Sequence, residues 1–232
     1  MGNYAIIGGS SGIGKELVHL LVKSGHRIFA TYYKTVVPEN TPNTVYHYLD
    51  VMDENMKLDF FPNQLDGLVY CPGSINLRPF HRLKPEEFIY DFQLQVIGAI
   101  RILQALLPAL KATEMASIVF FSSVAVQSGF NFHSQVASSK GAIEGLSRAL
   151  AAEWAPQIRV NTIAPSLTDT PLASRLLSTD AKKEANAQRH PLKRIGKAKD
   201  IAEMAAFLLS DKASWISGQI IHVDGGMSST KL

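Results

Sequence analysis

The stretch Ile7-Gly8-Gly9-Ser10-Ser11-Gly12-Ile13-Gly14-Lys15 follows an apolar run and opens a segment with helical spacing. In that setting glycines let the backbone turn sharply and approach a pyrophosphate with no Cβ in the way. A helix start then offers free N–H groups and partial positive charge to the phosphates. The same glycines would also serve a plain structural turn. Gly8, Ser10, Ser11, Gly12, Ile13 and Gly14 are therefore candidate phosphate-binding residues. Further along stand other residues able to do chemistry: Tyr32-Tyr33-Lys34, Asp50-Val51, Tyr70-Cys71-Pro72-Gly73, Gln95, Ser122-Ser123, His133, Lys140, Pro165, Thr168 and Thr170.

These residues need elements to hold them. Short apolar runs at Tyr4–Ile7, Arg27–Thr31, Val45–Leu49, Gly67–Cys71, Ser117–Phe121, Ile158–Ala164 and Gln219–Val223 read as strands. Helical spacing covers Lys15–Lys23, Pro85–Ala112, Ser134–Trp154 and Ala198–Ser210. Nearly all-apolar strands alternating with helices predict a parallel sheet covered on both faces. The predicted fold is α/β, a Rossmann-type doubly wound parallel sheet of about seven strands. No linker or repeat divides the chain, so residues 1–232 are expected to form one domain. Lys34–Asn43 is rich in turn formers and reads as a loop. Leu172–Pro191 is polar, helical in character and flanked by prolines, as a lid near 172–190 would be. An ordinary surface helix would look the same.

The 232 residues, 46% hydrophobic and 19% charged, suit a globular core. A net charge of +3 with no long basic run is too mild for nucleic acid. The single cysteine, Cys71, forbids an internal disulfide and excludes multi-cysteine metal sites, so no metal is expected. No apolar run approaches a membrane span. The first residues carry no basic leader and no myristoylation pattern. The expectation is a cytoplasmic protein without a membrane partner, acting on a small molecule.

On these motifs the sequence resembles the classical short-chain dehydrogenase/reductase family along almost its whole length. Gly8–Gly14 is similar to the family's T-G-x3-G-x-G loop, with Ile7 in place of Thr, and Asp50-Val51 to its adenine-holding pair. Ser123 stands where the catalytic serine does, and Ser139-Lys140-Gly141-Ala142 matches the end of the Y-x-x-x-K helix. Ile158-Arg159-Val160-Asn161, Pro165 and Thr170-Pro171 match the following strand and the threonine that contacts the nicotinamide carboxamide. Arg194-Ile195-Gly196, Gly218-Gln219 and Asp224-Gly225-Gly226 match the C-terminal signature. The resemblance implies that Ser123 orients a carbonyl and that Lys140 holds the ribose. It also implies a homodimer or homotetramer.

The departures concern catalysis. The family tyrosine, four residues before Lys140, is Val136 here. The family's Asn-Asn-Ala-Gly reads Tyr70-Cys71-Pro72-Gly73, its tetrad asparagine aligns with Gln95, and the segment between Asp50 and Leu68 is short, predicting a reduced helix. That tyrosine gives the developing alkoxide its proton, a service of roughly a hundred- to ten-thousand-fold in rate. Valine has none to give. His133, three residues before Val136 and seven before Lys140, is one candidate replacement, if it is not simply a solvated cap residue. Tyr70 is another, if it is not a packed aromatic, whereas nothing in the sequence activates Cys71. Gln95 could serve as the asparagine does, or satisfy a helix carbonyl.

The end of the second strand bears on cofactor choice. An acid there would favour NAD, and the sequence has Tyr32 instead, with Lys34 able to meet a phosphate and Tyr33 to stack on the adenine. NADP(H) is favoured over NAD(H), although the family's usual arginines are absent and Lys34 could be merely solvated. The expected function is an NADP(H)-dependent oxidoreductase with an atypical active site, acting on a carbonyl or an activated double bond. The alternative is a dinucleotide-binding pseudoenzyme with a regulatory or structural role.

Overall fold

The computed structural model describes residues 1–35 and 40–230. Its strands are β1 (Asn3–Ile7), β2 (Arg27–Tyr32), β3 (Thr44–Tyr48), β4 (Gly67–Tyr70), β5 (Ala116–Phe121), β6 (Ile158–Pro165), β7 (Thr168–Asp169), β8 (Gly196–Lys197) and β9 (Ile220–Val223). Seven of them form one sheet in the order β3-β2-β1-β4-β5-β6-β9, all pairs parallel. The helices are α1 (Gly12–Lys23), α2 (Pro85–Phe92), α3 (Gly98–Lys111), α4 (Val124–Ser128), α5 (Ser134–Trp154), α6 (Asp180–Gln188) and α7 (Ala198–Leu209).

Strand alternation explains the apolar runs. Ala5, Ile7, Leu68, Ile118 and Phe120 join a buried cluster with α3 and α5 on one face. Tyr4, Ile6, Val69, Val119 and Ile163 join a second cluster with α1 and α7 on the other. A strand buried on both faces reads as a mostly apolar run, and the buried polar exceptions Ser117, Arg159 and Asn161 are hydrogen-bonded. Strand order reverses between β1 and β4, and in such sheets a crevice opens at the carboxyl ends of the two strands. The glycine loop lies there, after Ile7.

Three details depart from the sequence reading. The segment 49–66 contains no helix at all. Phe60 instead stacks on His47 of β3 at 4.0 Å between ring centroids, while Phe61 and Leu65 are buried, so coil covers this part of the sheet. The stretch predicted as one helix from Pro85 is interrupted by a π turn at Gln93–Ile97. Pro85–Lys111 is also long and apolar enough to cross a membrane, contrary to the expectation that no segment is. Its apolar side chains Ile102, Leu103, Leu106 and Leu110 are buried against the sheet, which accounts for that hydropathy within the fold. The loop read at Lys34–Asn43 lies partly outside the described residues.

The polar segment after β7 forms a 3-10 stretch, Pro171–Leu177, followed by α6. A small parallel pairing of Thr168 with Gly196 and Asp169 with Lys197 ties the two ends of this excursion together.

Candidate active site and cofactor cleft

A cleft of about 650 Å³ runs along the carboxyl ends of the strands. Every residue proposed from the sequence to hold the cofactor lines it, from the glycine loop through Tyr32, Tyr33, Lys34, Asp50, Val51, Pro72 and Gly73 to Lys140, Pro165, Thr168 and Thr170.

Backbone geometry builds the first half of the cleft. Gly8 and Gly12 have φ of +78° and +51°, in the left-handed region that favours glycine. A Cβ on Gly14 would sit 2.3 Å from the Gly8 carbonyl oxygen, so the turn closes only with glycine there. The Gly8 N–H donates to Thr31 Oγ1 at 3.0 Å, fastening the loop to β2. Ser11 is the N-cap of α1, but its side chain accepts no capping bond. The first N–H groups of α1 thus receive no side-chain cap and are free for an anion. These features fit a dinucleotide pyrophosphate.

At the adenosine end, Asp50 Oδ1 accepts from the Met52 N–H at 2.9 Å. The negative charge of Asp50 holds the nearby Tyr33 phenol above its ordinary pKa. Lys34 Nζ lies 4.9 Å from the centroid of the Tyr33 ring, a cation–π contact at an exposed site.

Side chains build the second half. Ser123 caps α4, its Oγ accepting from the Ala125 N–H at 3.2 Å, and faces the cleft. Lys140 Nζ donates to the Phe121 carbonyl at 2.8 Å, and burial pulls its pKa down to about 8. Val136 is buried in the cleft wall, where it offers no proton. His133 is the half-buried residue preceding α5; it lines the cleft, its Nδ1 lies 2.8 Å from the Asn131 carbonyl, and its ring packs against Phe130.

Two candidates from the sequence do not reach the cleft. Tyr70 is buried, and its hydroxyl donates to the Leu94 carbonyl at 2.6 Å, with burial raising its pKa further. That placement is the packed aromatic, not the proton donor. Gln95 is buried in the π turn behind Gly73, with Nε2 donating to Asp91 Oδ2 at 2.7 Å and Oε1 left without a partner. Cys71 does line the cleft, and burial pushes its thiol up to about 12, so it is a poor nucleophile.

Sequence reasoning missed several lining residues. Ser166 Oγ lies 2.8 Å from His190 Nε2, while His190 Nδ1 faces the Asn186 carbonyl at 2.9 Å, joining the end of the segment 172–190 to the cleft floor. Ser74 and Arg189 also line the cleft. Only Ser74 carried a signal, since it follows directly on Gly73.

Fold and cleft together define a Rossmann-type dinucleotide-binding domain. The family model described as enoyl-(acyl carrier protein) reductase matches residues 8–228. A tropinone reductase homolog of Arabidopsis thaliana is 34% identical over 97% of this chain and 92% of its own length. A second one is 32% identical over 96% and 89%. Among solved structures, a short chain dehydrogenase family protein of Francisella tularensis superposes with TM-score 0.87 at 27% identity, covering 99% of this chain and 100% of its own. The aldohexose dehydrogenase of Thermoplasma acidophilum gives TM-score 0.88 at 25% identity, with 99% and 95% covered. A variant of ElxO with NADPH bound gives TM-score 0.88 at 25% identity, with 99% and 100% covered. The chain belongs to the short-chain dehydrogenase/reductase family, an oxidoreductase family whose fold binds a nicotinamide dinucleotide.

Proposed function

We propose that this protein is an NADP(H)-dependent oxidoreductase acting on a carbonyl or an activated double bond of a small, fairly apolar metabolite. One observation carries the reading: the cleft joins a complete phosphate cradle to a buried Lys140 and a cleft-facing Ser123. When bound, the nicotinamide supplies or accepts hydride. Ser123 orients the substrate oxygen with its hydroxyl. Lys140 holds the ribose hydroxyls, its ammonium already directed by the Phe121 carbonyl. Pro165, Thr168 and Thr170 seat the nicotinamide end, and the lid segment 172–190 covers the site.

Two observations support NADP(H) over NAD(H). Tyr32, not an acid, ends β2, and Lys34 lies beside Tyr33 in the same part of the cleft. ElxO, which has NADPH bound, shares the fold. The proposed setting is the cytoplasm, as a homodimer or homotetramer; the single cysteine suits the first, and Ile89 and Phe92, exposed on α2, suit the second.

Val136 favours a second reading, a pseudoenzyme that binds dinucleotide without turnover. Fluorescence titration with NADPH and NADH, followed by a screen of carbonyl and enoyl substrates, separates the two. Saturable NADPH binding with turnover supports the oxidoreductase. Binding without turnover supports the pseudoenzyme, and no binding removes both.

A further inference from the structure

The Asp91 carboxylate is fully buried and forms no ion pair among the described residues. Its hydrogen-bond partners are neutral: the Ser74 hydroxyl donates to one oxygen and Gln95 Nε2 to the other. Burying a carboxylate among neutral donors costs stability. Ser74 lines the cleft directly after Gly73. A Cβ on Gly73 would lie 3.3 Å from Gln95 Oε1 and 3.6 Å from Lys140 Nζ. The orphaned Gln95 oxygen and the lysine therefore converge behind the residue that precedes Ser74, and an orphaned buried acceptor calls for an explanation.

The loop is also fastened to the wall that Val136 leaves bare. Asn76 Nδ2 donates to Gln135 Oε1 at 2.8 Å, and Gln135 Nε2 donates to the Glu87 carbonyl at 2.8 Å. Gln135 immediately precedes Val136, so the loop carrying Ser74 is held between α2 and the start of α5. A π turn at Gln95, a distortion frequent at functional sites, sits under the same cluster.

We propose that Ser74 and Asp91 deliver the proton in this active site, the Ser74 hydroxyl exchanging it with the substrate oxygen and the Asp91 carboxylate storing it. This rests on the reading of the cleft as a hydride-transfer site. In the oxidising direction the substrate O–H bond breaks and its proton passes to Ser74 Oγ. The Ser74 proton passes to Asp91, and the O–H electron pair becomes the second carbon–oxygen bond. A bound nicotinamide would supply the acceptor for the C–H hydrogen and its electron pair. Asp91 then returns its proton to solvent through the Ser74 hydroxyl, which lines the cleft, and reduction runs these steps backwards. Gln95 is a positioning residue, fixing the second Asp91 oxygen. The other titratable group facing Asp91 is Lys140 from α5, while Glu87, one turn earlier on α2, is engaged by Arg78.

The test compares wild type, Ser74→Ala, Ser74→Thr, Asp91→Asn and His133→Ala, using NADPH and a carbonyl substrate found in the screen. Ser74→Ala and Asp91→Asn should each lose about a hundredfold or more in kcat, the scale of general acid–base catalysis, with the NADPH affinity of Ser74→Ala within about twofold of wild type. Ser74→Thr should recover most of the loss, and His133→Ala should stay within about threefold. Asp91→Asn should also flatten the kcat–pH profile. On the cofactor-free protein, the infrared carboxylate band that Asp91→Asn removes should shift in Ser74→Ala, which deletes the hydroxyl bonded to it. If Asp91→Asn does not fold, Ser74→Ala decides alone, because it removes a single hydroxyl. A Ser74→Ala enzyme with wild-type kcat and pH profile overturns the proposal, as does a loss that falls on His133→Ala instead. In both cases the wild type is still active, which distinguishes them from failure of the hydride-transfer reading, where the wild type turns over no substrate.

Discussion

The two halves of the cleft are built from different materials. The phosphate half is backbone: Gly8 and Gly12 in left-handed conformations, Gly14 packed against a carbonyl oxygen, and the uncapped start of α1. The nicotinamide half is side chains: Ser123, Lys140, Ser74 and the Asp91–Gln95 pair behind them. A backbone site tolerates few residues, so its glycines are forced. A side-chain site can exchange one proton carrier for another while the scaffold stays in place. By the resemblance that the sequence motifs carry, the first half is expected to keep the family pattern and the second to depart from it at Val136.

The sharpest way to break this contrast is to add one methyl group to the backbone half. Gly14→Ala puts a Cβ against the Gly8 carbonyl, which cannot swing aside as a side chain could. Overpacking of this kind costs about 1–3 kcal/mol. The expected outcome is a lower melting temperature and a loss of NADPH affinity of about a hundredfold or more, since the distorted loop also moves the donors for two phosphates. Fluorescence titration and thermal denaturation check it. Wild-type affinity in Gly14→Ala would mean that the loop is merely a turn.

The side-chain half is tested by giving the tyrosine back. Val136 faces the cleft, so Val136→Tyr has open space to enter. In a Ser74→Ala background it should restore turnover by about tenfold or more, within the range of a single positioned acid. Steady-state NADPH oxidation reads this directly. If the double variant stays as slow as Ser74→Ala, either the hydroxyl is misplaced or the proton was never limiting.

A smaller effect is expected at the adenosine end, where side chains act on a backbone-held ligand. Tyr32→Asp places an acid where it would bind ribose hydroxyls and repel a 2′-phosphate. It should shift the NADPH-to-NADH affinity ratio by about tenfold towards NADH, corresponding to about 1.4 kcal/mol. Paired titrations check it, and an unchanged ratio would mean that Tyr32 does not face the ribose.

The same contrast sets what could be read from the sequence. Central strands buried on both faces leave apolar runs; β3 and β9 are only partly buried, yet all seven main strands were legible within a residue or two. Forced glycines were legible for the reason given above, and so were Ser123 and Lys140, which keep their spacing from the strand and helix that carry them. Tyr70 misled because the last residue of a strand can face either the cleft or the core, and only the Leu94 carbonyl decides between them. The π turn was invisible, because its local widening leaves no mark in a pattern read at helical period. The Ser74–Asp91 pair joins residues that are distant in the chain, and no period or motif links them. The coil at 49–66 was read as a shortened helix because aromatic cover can replace a helix without altering composition.

The last prediction asks whether Lys140 belongs to the cofactor half as much as to the proton chemistry. Its folded-state pKa, about 8, lies below the ordinary 10.5, with burial the leading cause and Asp91 pulling the other way. Between those two values the unfolded chain binds more protons than the folded one, so stability should rise with pH across that window and level off above it. Below about pH 8 both states carry the charge, and the cost of burying it is fully present. Cofactor affinity should move the other way, falling severalfold as pH passes through about 8, because the neutral amine is a weaker donor to the ribose than the ammonium. Lys140→Met should remove both slopes: it leaves no group to titrate and fills similar volume. Denaturant melts and NADPH titrations at matched pH values measure the two effects independently. A stability slope that survives in Lys140→Met would assign the titration to another buried group, and an affinity slope that survives would place the ribose contact elsewhere in the cleft.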